Sequence, residues 1–234
     1  MAGPQGDVLE NLAARALECV RDGTVVGLGT GRAATAFVHA LAARVKEGLS
    51  IRGVPTSEET ARLSRELGIP LVGLDEGPID VIVDGADEVD PQLNLIKGYG
   101  GALVRERIVA AASRIQVILV DDSKLVPMLG TRCRLPVEVI PFAVPLCIGR
   151  LKELGCQPTV RLVEGKPFVS DNGNTILDCA IGPLEAPAAF DNKIRIIPGV
   201  VDTGLFLGTA HTVLVAEGGT VRELRRDATQ GSTS

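Results

Sequence analysis

The segment TVVGLGTGRAATAFVHALAARVK (Thr24–Lys46) decides the fold. Thr24 to Leu28 is a short apolar run of strand character, and Gly29-Thr30-Gly31 is a turn. Ala33 to Lys46 then reads as a helix whose alanines permit close packing. A strand that passes through glycines directly into a helix is the first half of a βαβ unit.

The same alternation extends outward. Upstream, Asp7 to Val20 reads as a helix with Asp7 as its N-cap. Downstream, Ser50 to Val54 is a strand, and Ser57 caps a helix that runs to Leu67 and is broken by Gly68-Ile69-Pro70. Leu71 to Leu74 is expected as a third strand and Ile79 to Val83 as another; Ala102 to Ala112 is helical, and Gln116 to Val120 is again strand. The expected fold class is α/β, with a doubly wound, mostly parallel, Rossmann-like sheet.

The texture changes near Leu129-Gly130. Pro136, Pro141 and Pro145 punctuate a strand at Val137 to Ile140, and a helix follows to Leu154. Thr159 to Val163, Phe168-Val169 and Thr175 to Cys179 read as short strands, with Asp171-Asn172-Gly173-Asn174 as a turn and a helix over Ala186 to Ile196. Val200 to Phe206 and Thr212 to Ala216 are expected as strands returning to the first domain. The expected organisation is a discontinuous α/β domain, 1–130 with 202–226, a smaller inserted α+β domain, 131–201, and a polar disordered tail, 227–234.

Composition narrows the functional classes. The chain has 234 residues, 45% hydrophobic and 23% charged, with aromatics at 3% and no Trp. Its core is therefore aliphatic, which suits strands buried on both faces. A net charge of −5 without a basic cluster argues against nucleic acid as a partner, while a small phosphorylated ligand needs only one local positive pocket. Five cysteines with no CxxC pair argue against disulfides and zinc and read as small buried hydrophobes in a reducing compartment. No stretch approaches a membrane span and no signal peptide opens the chain, so the expected location is the cytoplasm.

Three segments carry chemistry. Gly27-Leu28-Gly29-Thr30-Gly31-Arg32-Ala33 lies between a strand and a helix, where unpaired N–H groups favour an anion; Thr30 and Arg32 can add donors. It is neither a dinucleotide fingerprint nor a Walker loop, so a purely structural turn stands equally well. Asp84-Gly85-Ala86-Asp87-Glu88-Val89-Asp90 follows the strand Ile79 to Val83, and ligands of open α/β sheets bind beyond such carboxyl ends. A solvated loop is its bland reading, and the calcium-loop spacing is absent. The third, Leu95-Ile96-Lys97-Gly98-Tyr99-Gly100-Gly101-Ala102, leads into Arg105-Glu106-Arg107; a lone helical glutamate between arginines is usually a surface ion pair. His39 and His211 sit in no motif, and no metal spacing appears. The inventory favours metal-independent and cofactor-free proton transfer on a small anion.

The sequence closely resembles the A-type ribose-5-phosphate isomerases. The resemblance is carried by VGLGTG (Val26–Gly31), PTSEET (Pro55–Thr60), DGADEVDPQLNLIKGYGGALVRERIV (Asp84–Val109), DDSKLVPMLG (Asp121–Gly130), LPVEVIPFA (Leu135–Ala143), SDNGNTILDC (Ser170–Cys179) and IPGVVDTGLF (Ile197–Phe206), in family order over nearly the whole chain. It implies aldose–ketose isomerisation of ribose 5-phosphate and ribulose 5-phosphate through an enediolate, in the non-oxidative branch of the pentose phosphate pathway. It assigns Glu106 as the base, Lys97 to the enediolate oxygens, and Asp84 and Asp87 to the sugar hydroxyls. Backbone at Gly98, Tyr99 and Gly100, and at Gly85 and Ala86, would line the substrate; Thr30, Gly31, Arg32, Ala33 and Lys124 would meet it toward the phosphate. It also implies a homodimer or homotetramer. The family usually reads TGST where this chain has Thr30-Gly31-Arg32-Ala33, often has a lysine where Val8-Leu9-Glu10-Asn11 has none, and often has glycine at Tyr99. Arg32 is the expected replacement at the phosphate end, because a guanidinium binds phosphate bidentately. A sugar-phosphate-sensing effector domain, and a related-fold sugar-phosphate deaminase, lactonase or coenzyme A transferase, are the alternatives; fold analogy alone does not exclude them.

Overall fold

The computed structural model describes residues 4–226, so the expected tail 227–234 lies outside the described residues. The chain forms two compact units. One takes in the residues up to Ala86, Arg105–Lys124 and those from Gly208 on; the other takes in Asp87–Val104 and Leu125–Leu207. The units follow packing and the sequence-based domains follow texture, and the two divisions part at Asp87–Val104, at 125–130 and at 202–207.

The first unit is built on a six-stranded sheet. Its order is Thr220–Arg225, Thr212–Glu217, Ser113–Asp121, Ile79–Gly85, Val25–Leu28, Arg52–Pro55. All neighbours pair in parallel except Thr220–Arg225, which closes one edge antiparallel. Strand periodicity sorts the side chains. Val81, Val83, Val117 and Leu119 point to one face, where Leu12, Ala13 and Ala16 of helix Pro4–Leu17 and Phe37, Val38 and Leu41 of helix Arg32–Lys46 cover them. Ile82, Val25 and Val54 point to the other, against Val109 of helix Leu103–Ala111. Both faces are buried, which is the doubly wound arrangement expected. Phe37, fully buried, is the largest aromatic of this core; its replacement by alanine would cost about 3–5 kcal/mol. Gly27 lets helix Leu103–Ala111 approach, since a Cβ there would lie 3.0 Å from Val109 Cγ1.

The second unit holds a four-stranded antiparallel sheet ordered Val200–Thr203, Leu135–Val139, Thr175–Ala180, Gln157–Val160. Cys147 and Leu151 of helix Val144–Glu153 and Ile194 of helix Pro187–Arg195 pack into the same core as Val137, Leu177 and Cys179. A smaller ladder joins Glu88–Val89, Leu95–Ile96 and Leu205–Phe206.

Several local expectations are corrected. The first helix begins at Pro4, so Asp7 lies inside it and not at its cap. Leu71 to Leu74 is no strand: Leu71 makes one bridge to Gly53, and Leu74–Glu76 is a 3₁₀ turn. Phe168-Val169 is not a strand either; the paired segments are Lys166–Pro167 and Leu162–Val163, with Val169 bridging singly to Thr175. Val200–Thr203 pairs with Leu135–Val139 in the small sheet, and Leu205–Phe206 pairs with Leu95–Ile96. Only the segments from Thr212 onward return to the large sheet. The cap at Ser57 is as expected, its side chain accepting from Thr60 N at 3.0 Å.

Candidate functional site

In the first unit, Asp84 stands at the carboxyl end of the buried strand Ile79–Gly85 and is itself fully buried. Its Oδ1 accepts from Gly85 N at 2.8 Å and from Thr30 N at 3.2 Å. The approach depends on Gly29, where a Cβ would stand 2.6 Å from Asp84 Cα. The acid and the glycine turn are thus one structure. Thr30 Oγ1 lies 2.8 Å from Thr56 Oγ1, 2.9 Å from Ser57 Oγ and 3.3 Å from Thr60 Oγ1, and Thr60 in turn donates to Gly29 O at 3.0 Å. The hydroxyls of PTSEET, just past the end of the neighbouring parallel strand and in the first turn of the helix that follows, therefore brace the turn.

Gly31, at φ 98°, caps helix Arg32–Lys46 without a side-chain cap. Beside this N-terminus lies a cleft of about 490 Å³, lined by Leu9, Gly31, Arg32, Thr35, Arg62 and Glu59, among others. Arg32 is exposed there. Arg62, which the sequence reading passes over, lines the same cleft; PTSEET points to the start of its helix but not to the face it occupies. Ala33 is half-buried on the first turn, and Lys124 is half-buried on the 3₁₀ turn Asp122–Lys124.

Glu106 lies in the first turn of helix Leu103–Ala111 and is only 4% exposed. That burial corrects its expected place on the surface. Arg105 turns instead to Glu58, at 2.8 Å, and this hydrogen bond and charge hold the Glu58 carboxyl below its ordinary range.

In the second unit, Lys97 is 2% exposed, with its Nζ 5.6 Å from the Phe206 ring centroid. Its backbone N–H donates to Gly204 O at 2.9 Å. Asp87 is half-buried and accepts from Tyr99 N at 3.1 Å, so the acid and the glycine loop Gly98–Gly101 are brought together. Gly98 is at φ 106° and Gly101 at φ 83°, values that glycine supplies without strain.

The other two acids of the run do something else. Glu88, fully buried, accepts from the backbone N–H of Gly130, Arg132 and Cys133, each at 2.6 Å. Asp90 accepts from Gln92 N and Asn94 N and closes its own turn, where Leu93 takes φ 57°. Among the described residues no group of three or more His, Cys, Asp or Glu is placed to hold a metal ion, and no helix is long and apolar enough to cross a membrane.

The family model for ribose 5-phosphate isomerase A (phosphoriboisomerase A) matches residues 52–219. The chain belongs to the ribose 5-phosphate isomerase A family. Among curated members, the ribose-5-phosphate isomerase A of Roseiflexus castenholzii is 52% identical over 208 residues, covering 87% of this chain and 89% of the relative. That of Thermomicrobium roseum is 49% identical over 228 residues, 96% of each chain. The solved ribose 5-phosphate isomerase A of Methanocaldococcus jannaschii superposes with a TM-score of 0.90 at 41% identity, covering 94% of this chain and 98% of its own. A D-ribose-5-phosphate isomerase solved in complex with phospho-erythronic acid gives a TM-score of 0.91 at 37% identity, covering 97% of this chain and all of its own. The family match runs through Asp84, Asp87, Lys97, Glu106 and Lys124, and leaves the turn at Thr30–Ala33 to the longer relatives' alignments.

Proposed function

We propose that the chain interconverts D-ribose 5-phosphate and D-ribulose 5-phosphate through an enediolate, with Glu106 as the base. Glu106 would take the C2 proton of the open-chain aldose and deliver it to C1, while the hydroxyl proton at O2 is lost and one is gained at O1. Burial favours this role, because a carboxylate removed from water is more basic than one in solution. The observation that carries the reading is that burial itself: a glutamate flanked by two arginines is withdrawn from solvent in a family whose reaction is this isomerisation.

Lys97, a buried cation, would stabilise negative charge developing on the enediolate oxygens. Asp84 and Asp87 would accept from the sugar hydroxyls, with backbone at Gly85, Ala86 and Gly98–Gly100 completing the contacts. The phosphate would lie toward Thr30, Gly31, Arg32, Ala33 and Lys124. Here the cleft beside Gly31 supports a guanidinium doing the work of the missing hydroxyls and lysine.

The test is direct. Purified protein, treated with a chelator, is incubated with ribose 5-phosphate and ribulose 5-phosphate is measured. Turnover is expected; its absence in the wild type removes the assignment. We also propose a homo-oligomer, checked by light-scattering mass in solution, and a cytoplasmic setting, which five free thiols support and localisation of a tagged chain would check.

A further inference from the structure

The loop Gly98–Gly101 is gripped from outside by one side chain. Arg161, between strands Gln157–Val160 and Leu162–Val163, donates through Nη1 to Gly98 O at 2.9 Å and to Tyr99 O at 3.0 Å. Its Nε and Nη2 are spent on Asp178, at 2.9 and 2.5 Å, in a two-pronged pair. The guanidinium also lies 5.8 Å from the Tyr99 ring centroid and 6.0 Å from that of Phe168. Phe168 closes over the loop so tightly that a Cβ at Gly101 would stand 2.7 Å from its Cε1 and nearer still to its Cζ. The side chain of Arg161 is 11% exposed.

A trans peptide holds its C=O and N–H on opposite sides of one plane. Drawing the carbonyls of Gly98 and Tyr99 toward Arg161 therefore turns the N–H groups of Tyr99 and Gly100 the other way. Tyr99 N–H is found there, 3.1 Å from Asp87 Oδ2. A charged donor on each carbonyl also polarises the peptide beyond it and strengthens its N–H as a donor.

We infer that Arg161 is a positioning residue for the isomerisation: held by Asp178, it fixes the peptide planes at 98–100 so that their N–H groups and Asp87 present one preset surface to the sugar. The inference rests on the reading of that loop and Asp87 as substrate-facing. Arginine is required because the task needs donors in two directions at once, a fork toward Asp178 and a further nitrogen toward two carbonyls. Lysine keeps the charge and loses that geometry.

The experiment compares Arg161→Lys, Arg161→Ala and Asp178→Asn with wild type. For both Arg161 variants, kcat for ribose 5-phosphate is expected to fall about 100-fold, the scale of a misplacement near 1 Å, with KM nearly unchanged. Methylguanidinium added to Arg161→Ala should restore part of kcat, and Asp178→Asn should lose less than either. Amide hydrogen exchange of the 98–101 peptide, read without substrate, should quicken in Arg161→Lys. Wild-type kcat in a folded Arg161→Lys overturns the inference. So does a loss that follows the unfolded fraction alone, with no rescue. If the wild type itself fails to turn over ribose 5-phosphate, the functional reading falls, while unchanged exchange at 98–101 refutes the grip by Arg161 separately.

Discussion

Glu106→Gln separates a catalytic carboxylate from a structural one. The replacement keeps shape and volume, so no cavity opens in the first turn of helix Leu103–Ala111. What changes is charge at a side chain that is 4% exposed. A buried carboxylate carries a desolvation penalty of several kcal/mol, which glutamine does not. Against this, an acid near a helix N-terminus gains about 0.3–1 kcal/mol from the dipole, which glutamine forfeits. Desolvation and dipole taken by themselves leave stability within about 1 kcal/mol of wild type or above it, or no more than about 2–4 °C lost in melting temperature. Activity should behave differently. A positioned general base contributes about 10²–10⁴ in rate, equivalent to roughly 2.7–5.4 kcal/mol of barrier. The assay is kcat for ribulose 5-phosphate formation, paired with loss of deuterium from C2 of labelled substrate, whether to C1 or to solvent, and with thermal melting of the same samples. Loss of turnover, with deuterium retained at C2, in a protein that melts normally is the expected result. A variant within about tenfold of wild-type kcat would remove Glu106 as the base. A fall in kcat matched by a collapsed melting transition would make its role structural.

Other perturbations test other parts. Arg32→Ala should raise KM for ribose 5-phosphate with little change in kcat, and Arg62→Ala, from the same cleft, should do so more weakly; an unchanged KM in Arg32→Ala would return the phosphate to other groups. Glu88→Ala strips the acceptor from three backbone N–H groups at 130–133, and at about 1–3 kcal/mol for each one left unsatisfied the melting temperature should fall steeply, as calorimetry would show. A thiol reagent at neutral pH should label Cys19 and Cys133 in the native protein and reach Cys147, Cys156 and Cys179 only on unfolding; it should label Cys19 slowly, because partial burial and then Glu223 hold that thiol protonated. Glu223 is held below its ordinary value of 4.5 by its hydrogen bond to Arg225 and then by the charges of Arg225 and Arg15. A depressed folded pKa stabilises above the unfolded value and is lost as pH falls through the folded one, so Glu223→Gln should flatten the acid limb of a melting-temperature profile below about pH 4.5.

The fold was legible where chain and neighbours agree. Thr24–Lys46 reads as strand, turn and helix because its apolar residues serve both the local period and the buried sheet. Legibility failed where pairing is decided at a distance. Val200–Thr203 looks like any strand, and only its partner, Leu135–Val139, says which sheet it joins. Leu71–Leu74 has the apolar content of a strand, but makes one bridge and ends on a 3₁₀ turn. The edge strand Thr220–Arg225 was missed because its charges hide the alternation; Gly218-Gly219, both at positive φ, is the hairpin signal that would have found it. Arg161 was invisible for a related reason. One charged residue in a short strand region carries no pattern, and its partners lie 17 and more than 60 positions away in the chain.

The run Asp84–Asp90 shows why residue type alone cannot assign chemistry. All four acids sit within seven positions, and hydrogen-bonding geometry divides them. Glu88 and Asp90 each turn both carboxylate oxygens to donors that close loops: Glu88 to Gly130, Arg132 and Cys133, Asp90 to Gln92 and Asn94. Replacing either should be read first as stability. Asp84 and Asp87 instead meet two glycine-bearing segments, the Thr30 turn and the Tyr99 loop. Each of these contacts is a single backbone N–H supplied by a glycine-rich segment, and glycine is what lets each backbone come close. Gly29 leaves room for Asp84, and Gly98 and Gly101 bend the loop that carries Tyr99 N–H to Asp87. The glycines and the acids therefore form pairs, and a side chain placed at Gly29 should damage Asp84 as surely as Asp84→Asn would. Gly29→Ala carries that argument to a measurement: its overpacking should cost about 1–3 kcal/mol in stability, and the folded fraction should still show a kcat defect like that of Asp84→Asn.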